Sequence, residues 1–126
     1  MKILIAEDDP VSRRILEATL LKWGYNVWVA NDGTQAWEIL QSENAPTLAI
    51  LDIMMPGLNG FEVFDRVRSD TDIRDMPVLF VSAATNQYDG DFTKRGIKDV
   101  ISKPFDLNDL LDRVRVLCPA DAGGQD

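Results

Sequence analysis

The 126-residue chain contains no histidine, so it offers no imidazole as a catalytic base, nucleophile or metal ligand. Its single cysteine, Cys118, excludes an internal disulfide and favours a reducing compartment. No apolar run approaches the length of a membrane span, and the first residues pass directly into a strand-like run without a signal peptide. These absences predict a cytoplasmic protein whose chemistry depends on carboxylates, hydroxyls and amines.

Positive charge is also scarce. The chain has 13 lysines and arginines against 21 aspartates and glutamates, for a net charge of -8. Binding of nucleic acid needs clustered basic side chains, so nucleic acid is excluded as a partner of this domain, and we expect no membrane contact. The acidic balance is compatible with a bound cation or a basic partner protein.

Short apolar runs alternate with helical patterns along the whole chain. The predicted strands are Lys2–Ala6, Tyr25–Ala30, Leu48–Leu51 closed by Asp52, Val78–Ser82 and Asp99–Ser102. Strict alternation predicts one doubly wound α/β domain, a flavodoxin-like (βα)5 fold with a parallel five-stranded sheet of order 2-1-3-4-5. We assign residues 1–118 to this domain and interpret residues 119–126, which are small and polar, as a disordered tail or the start of a linker.

Local signals place the helix ends. Asp9 and Pro10 suit the start of the first helix, Gly24 suits its end, and Asp106 suits the start of the last helix. The first helix carries two apolar rows, Val11-Ile15-Ala18 and Leu16-Leu20-Trp23, and the last helix carries an inner face of Leu107, Leu110, Leu111, Val114 and Leu117. The region from Thr85 to Arg95 is polar and interrupted by Gly90, which predicts a short or frayed fourth helix.

Acidic side chains follow the first and third strands, which are neighbours in the predicted order. Glu7 and Asp8 come after the first strand, and Asp52 closes the third. The carboxyl ends of these strands border the crevice where open α/β sheets bind ligands. Two like charges about 4 Å apart repel by about 4 kcal/mol at an effective dielectric near 20. Such a cluster needs a cation, raised pKa values or several hydrogen-bond donors, and a hard divalent ion such as Mg²⁺ is the simplest answer. The alternative is that Glu7, Asp8 and Asp9 serve as acidic caps of the first helix.

A hydroxyl and an amine lie at the ends of the fourth and fifth strands. Ser82 ends the fourth strand, and Lys103 follows the fifth. Lysine and magnesium can both neutralise the oxygens of a phosphoryl group, and a carboxylate can accept one. The converging residues therefore predict a phosphoryl-acceptor site.

The order and spacing of these motifs resemble receiver domains of two-component response regulators, including chemotaxis regulators. The resemblance covers Met1 to about Leu117, and it rests on the segments Ile3–Asp9, Leu51–Gly57, Gly60, Val81–Ala83 and Lys103–Phe105. It implies that Asp52 accepts a phosphoryl group from a phosphohistidine, assisted by Ser82 and Lys103. It also implies Mg²⁺ held by Asp8, Asp52 and the backbone carbonyl of Met54, with Glu7 acting through water, and a cis Lys103–Pro104 bond.

The resemblance also implies partners and an output. The phosphodonor is a sensor histidine kinase or phosphotransfer protein, and the domain catalyses only its own phosphotransfer and dephosphorylation. The surface of the fourth helix, fifth strand and fifth helix would act on an effector domain or protein, or would form a homodimer. The family usually has tyrosine or phenylalanine where this chain has Val100. We therefore hypothesise that output depends on order and disorder of the segment from Thr85 to Ile97.

Three other functions remain as alternatives. A pseudo-receiver would act as an interaction module without phosphorylation. A phosphatase of the haloacid dehalogenase type needs a second acid two residues after its nucleophile, where this chain has Met54. A flavin-binding flavodoxin needs a hydroxyl-rich phosphate loop after the first strand, where this chain has three acids.

Overall fold

The computed structural model describes residues 2–42, 45–83 and 85–118. Strands and helices alternate through them as β1 Lys2–Ala6, α1 Pro10–Lys22, β2 Asn26–Ala30, α2 Gly33–Leu40, β3 Leu48–Leu51, α3 Gly60–Ser69, β4 Val78–Ser82, a 3₁₀ turn Thr85–Tyr88, α4 Asp89–Arg95, β5 Val100–Ser102 and α5 Leu107–Leu117. The predicted tail, residues 119–126, lies outside the described residues. Within the described ranges, no helix is long and apolar enough to cross a membrane.

All neighbouring strands are parallel, and their order is β2-β1-β3-β4-β5, which confirms the predicted fold. The register aligns the carboxyl ends of the strands. Ala6 pairs with Leu51, and Ser82 pairs with Ser102. The residues that follow these pairs, among them Glu7, Asp52 and Lys103, therefore emerge at one edge of the sheet.

The sheet is buried on both faces, as its continuous apolar strands predict. Successive residues of β1 point to opposite sides, so Leu4 and Ile5 belong to different core clusters. One side is rich in aromatic rings, with Phe61 lying 5.5 Å from Phe80 and 5.3 Å from Phe92 between ring centroids. The other side packs aliphatic residues of β1, β3 and β4 against α1 and α5: Ile3, Ile5, Leu16, Leu20, Ile50, Leu79, Leu110 and Val114.

The ends of α1 follow the sequence signals. The side chain of Asp9 accepts a hydrogen bond from the Ser12 N–H at 3.0 Å, and Gly24 has a φ of 94° just after the helix. Of the two apolar rows, the one containing Leu16 and Leu20 is buried against the sheet. The other row is exposed, with Val11 at 65% and Ile15 at 43%.

One part of the predicted inner face of α5 is wrong. Leu110 and Val114 are buried, but Leu107 is 46% exposed. Leu107 lies in the first turn of the helix, at the edge of the sheet, where it lines a groove with Ile15 and Lys103. The helical period alone could not show that the sheet ends before this turn.

The prediction of a short fourth helix is confirmed. A 3₁₀ turn precedes α4, which has seven residues and ends at Gly96 in the left-handed conformation. Arg95 attaches the helix to α3 through two bonds to the carboxylate of Asp65, at 2.8 and 3.0 Å. The guanidinium of Arg95 also lies 4.7 Å from the ring centroid of Phe61. Arg95 and the buried ring of Phe92, which contacts Phe61 and Phe80, thus attach α4 to the rest of the domain.

Gly60 brings the start of α3 directly against the end of β3. A Cβ atom at Gly60 would lie 2.3 Å from the carbonyl oxygen of Asp52 and 3.0 Å from the ring of Phe80. The Gly60 N–H also donates to the carbonyl of Ile53 at 2.8 Å. Close approach of two backbones therefore fixes the chain immediately after Asp52.

Gly60→Ala should lower the free energy of unfolding by about 1–3 kcal/mol, because the methyl group would overpack this contact. Gly90→Ala is the matched control, since a Cβ at Gly90 inside α4 meets nothing within 4 Å. That substitution should raise stability by up to about 1 kcal/mol through helix propensity. Urea unfolding measures both, and equal effects of the two substitutions would contradict the packing argument.

Candidate functional site

Asp52 lies at the centre of a hydrogen-bonded network at the carboxyl edge of the sheet. Its carboxylate is 8% exposed and follows β3. Oδ1 accepts hydrogen bonds from the Ile53 N–H at 2.7 Å and from the Ser82 hydroxyl at 2.5 Å. Oδ2 accepts one from the ammonium of Lys103 at 3.2 Å. Three donors, which lie at the ends of β3, β4 and β5, therefore orient this one carboxylate.

Lys103 joins the ends of β1, β3 and β5. Its ammonium lies 2.6 Å from Glu7 Oε1 as well as 3.2 Å from Asp52 Oδ2. Burial acts to lower the pKa of Lys103, but the two carboxylates raise it more, so the net shift is upward. Its backbone N–H donates to the carbonyl of Ser82 at 2.9 Å, and the Lys103–Pro104 peptide bond is cis, as expected. The amine is therefore held charged between two acids.

Glu7 is the most deeply buried acid of the site, at 1% exposure. Oε1 accepts from Lys103, and Oε2 accepts from the Asp9 N–H at 3.1 Å. Burial, followed by the neighbouring carboxylate of Asp52, raises the pKa of Glu7 to about 7, although Lys103 opposes the shift. The direct Glu7–Lys103 ion pair was not predicted, because the two residues are far apart in sequence and meet through the strand order alone.

Asp8 completes a cluster of three acids. Oxygen atoms of Glu7, Asp8 and Asp52 all lie within 4.8 Å of one another, and Asp8 is exposed at the mouth of the crevice. A set of carboxylate oxygens with one open, hydrated side fits Mg²⁺, which prefers oxygen ligands and retains several waters. Asp9 does not belong to this cluster, since it caps α1.

Met54 lies in the loop between β3 and α3, and its side chain is 64% exposed. This loop is fastened to the start of α2. The Gly33 N–H donates to the carbonyl of Pro56 at 3.2 Å, and a Cβ at Gly33 would lie 1.7 Å from the carbonyl oxygen of Leu58. Gly33 therefore holds the loop that carries Met54, a tertiary contact for which the sequence gives no local signal.

An apolar groove of about 610 Å³ opens beside the acids, between α1 and the start of α5. Its walls include Ile15, Phe105 and Leu107, and it ends at Lys103. Ile15 and Leu107 are 43% and 46% exposed. The approach to the charged site is thus bordered on this side by apolar side chains.

Comparison with known families gives one match over most of the chain. The model of the response regulator receiver domain matches residues 3–115. Response regulator MprA of Mycobacterium leprae is 38% identical over 120 residues, which cover 93% of this chain and 50% of that protein. The probable transcriptional regulator ycf27 of Cyanophora paradoxa is 38% identical over 122 residues, with 92% and 47% covered. The chain spans about half the length of the curated relatives it matches.

Solved structures with the same fold include two that contain magnesium. Response regulator TrrA of Thermotoga maritima, solved in complex with Mg²⁺-BeF, is 30% identical with a TM-score of 0.81, covering 92% of this chain and 97% of that one. The receiver domain of a sensor histidine kinase from Pseudomonas aeruginosa is 27% identical with a TM-score of 0.81, covering 92% and 95%. That structure has a magnesium ion coordinated in its active site cleft.

Mg²⁺ affinity should rise with pH up to about 7, because a proton on Glu7 weakens the negative charge of the site and its pKa is raised to about 7. Because one proton is lost, the affinity for Mg²⁺ can rise by at most about tenfold per pH unit below this pKa, and it should be constant above it. Calorimetric Mg²⁺ titrations between about pH 6 and 8 measure the effect. Glu7→Gln should bind weakly with a flatter pH dependence, and equal slopes in both proteins would contradict the assignment to Glu7.

Proposed function

The chain belongs to the response regulator receiver domain family of two-component systems, and on that basis we propose that Asp52 accepts a phosphoryl group in a Mg²⁺-dependent reaction. One observation carries the proposal. The carboxylate of Asp52 accepts hydrogen bonds from the Ser82 hydroxyl and the Lys103 ammonium. It lies beside the carboxylates of Glu7 and Asp8. A nucleophile, two donors and an acidic cation site within one crevice are the parts that phosphoryl transfer to a carboxylate needs.

In the proposed reaction, a carboxylate oxygen of Asp52 forms a bond to phosphorus. The phosphorus–nitrogen bond of the donor phosphohistidine breaks, and the imidazole nitrogen keeps its electron pair. Lys103 and Ser82 then donate to oxygens of the transferred group, whose negative charge they stabilise. The Ser82 hydroxyl already bonds Asp52 in the unmodified protein, so phosphorylation would exchange its acceptor without requiring a long approach.

Mg²⁺ would be held by Asp8, Asp52 and the backbone carbonyl of Met54, with Glu7 acting through water. When bound, the ion neutralises charge on the phosphoryl oxygens. The Glu7–Lys103 ion pair holds the ammonium within 3.2 Å of Asp52, which keeps a second positive charge at the reacting group. Gly33 and Gly60 fix the two ends of the loop from which Met54 presents its carbonyl.

The phosphodonor would be a sensor histidine kinase or a phosphotransfer protein. The apolar groove lined by Ile15, Phe105 and Leu107 leads to Lys103 and offers a contact surface next to the reacting carboxylate. Because the curated relatives are about twice as long as this chain, we expect the output to act on an effector domain or a separate effector protein. A homodimer through α4, β5 and α5 is the other form of output that we propose.

The structure suggests how α4 could respond without an aromatic switch. A groove of about 500 Å³ lies between α4 and β5, and Val100 is among its lining residues. The hydroxyls of Thr85 and Ser102 are hydrogen-bonded across it. Thr85 follows Ser82 closely in the chain, and Ser102 directly precedes Lys103. A change of acceptor at Ser82 and Lys103 would therefore act on both ends of this hydroxyl pair, and through it on the order of α4.

Incubation with acetyl phosphate and Mg²⁺ should add one phosphoryl group to the protein, as measured by intact mass. Asp52→Asn should abolish the gain, because an amide is not a competent acceptor, whereas Asp72→Asn at an exposed position should retain it. Omission of Mg²⁺ should also suppress it. No gain from acetyl phosphate or from a competent phosphodonor would favour a pseudo-receiver instead.

Hydrogen exchange with and without beryllofluoride, a phosphoryl mimic, should show changed amide protection across Thr85 to Ile97. The helix α4 has only seven residues and follows a 3₁₀ turn, while α3 has ten residues and begins with a capping box. Protection in α3 should therefore remain constant, and Asp52→Asn should show no response. Unchanged protection across Thr85 to Ile97 in the wild-type protein would overturn the order–disorder hypothesis.

A further inference from the structure

The loop between β1 and α1 places three acids in succession, and the structure holds each of them differently. Glu7 is fixed through its side chain by Lys103 and the Asp9 N–H. Asp9 is fixed through its side chain by the Ser12 N–H. Within the part of the chain that the structure describes, no protein group donates a hydrogen bond to the carboxylate of Asp8. The position of Asp8 must therefore depend on its backbone.

Arg13 provides the contacts to that backbone. Its Nη1 atom lies 3.1 Å from the carbonyl oxygen of Glu7 and 3.4 Å from that of Asp8, and it donates to both. Arg13 is itself anchored in the first turn of α1, where its N–H donates to the carbonyl of Asp9 at 3.0 Å. The side chain thus reaches back from the helix to the end of β1 and braces the loop between them.

We propose that Arg13 is a positioning residue for the magnesium site, holding the carbonyls of Glu7 and Asp8 so that the Asp8 carboxylate faces Asp52. This inference rests on the proposed function, because it concerns the cation site on which phosphoryl transfer would depend. Arg13 touches neither the cation nor the phosphoryl group. It acts through the shape of the loop, as residues outside a ligand set commonly do.

Electrostatics and positioning predict opposite signs for the loss of Arg13. Removing a positive charge near a cation site should by itself strengthen cation binding. Removing the brace should weaken it, because three neighbouring acids repel one another and Asp8 would lose its fixed direction. Arg14 is an exposed arginine at the next position of the same helix, so Arg14→Ala removes the same charge without removing a contact to the loop.

Calorimetric titration of the metal-free proteins with Mg²⁺ provides the test. Arg13→Ala should weaken Mg²⁺ binding by about tenfold or more, the usual effect of losing an outer contact to a ligand. Arg14→Ala should bind as the wild type does or slightly more tightly. Arg13→Lys should fall between wild type and Arg13→Ala, because an ammonium keeps the charge but lacks the planar donor group. Binding by Arg13→Ala as tight as wild type or tighter would overturn the proposal.

Amide exchange without metal adds a readout that a loss of charge would not change. The Asp9 N–H is bonded to Glu7 Oε2, so a loosened loop should expose it and speed its exchange in Arg13→Ala but not in Arg14→Ala. If Arg13→Ala binds Mg²⁺ more weakly but the exchange of the Asp9 N–H is unchanged, Arg13 does not act by holding the backbone of the loop, and the proposal is overturned. If the wild-type protein itself binds no Mg²⁺, the magnesium site of the proposed function fails together with this inference. If the wild-type protein binds Mg²⁺ and Arg13→Ala binds it with the same affinity, only the inference about Arg13 is overturned.

Discussion

The contact of one lysine with two carboxylates is the interaction on which the candidate site depends. Lys103 lies 2.6 Å from Glu7 and 3.2 Å from Asp52, and these three residues follow β5, β1 and β3. Without a positive charge between them, two acids this close would repel by several kcal/mol, on the order of 4 at about 4 Å. The ammonium offsets this repulsion between Glu7 and Asp52, while Asp8 lies exposed beside them.

This arrangement explains why the acids of the site behave differently although they belong to one cluster. Glu7 is buried between Lys103 and Asp52, and its pKa is raised to about 7. Asp8 is exposed and directed by the backbone that Arg13 braces. Asp52 is held by donors on both oxygens, which fixes its direction. One acid is buried with a raised pKa, one is exposed, and one is fixed in direction by hydrogen bonds.

Rigid and weakly held parts of the fold adjoin one another at this site. The β3–α3 loop is fixed by close backbone contacts at Gly33 and Gly60, where a Cβ has no room. On the side of β5, Thr85 is hydrogen-bonded to Ser102, and the short helix α4 is attached through Arg95 and the buried ring of Phe92. Under the proposed function, we therefore expect a charge change at Asp52 to act on α4 rather than on the β3–α3 loop.

Much of the fold and of the residue set was predictable from the sequence, because both depend on local patterns. Continuous apolar runs such as Val78–Ser82 indicate strands buried on both faces, and strict alternation with helices indicates a parallel sheet. The acids after β1 and β3 point to the cation site because parallel strands end at the same edge. The caps at Asp9 and Asp106 needed no tertiary information, since an N-cap bonds its own helix.

The tertiary structure alone decided the contacts that join distant parts of the chain. The Glu7–Lys103 ion pair spans more than ninety residues, and Arg13 contacts carbonyls whose direction follows from the loop conformation. The exposure of Ile15 and Leu107 also depended on where the sheet ends, which helical periodicity cannot show. Sequence patterns thus determined the elements, their order and the chemistry gathered at one edge of the sheet. Packing decided which donor faces which acid, because distances and burial exist only after the strands have been brought together.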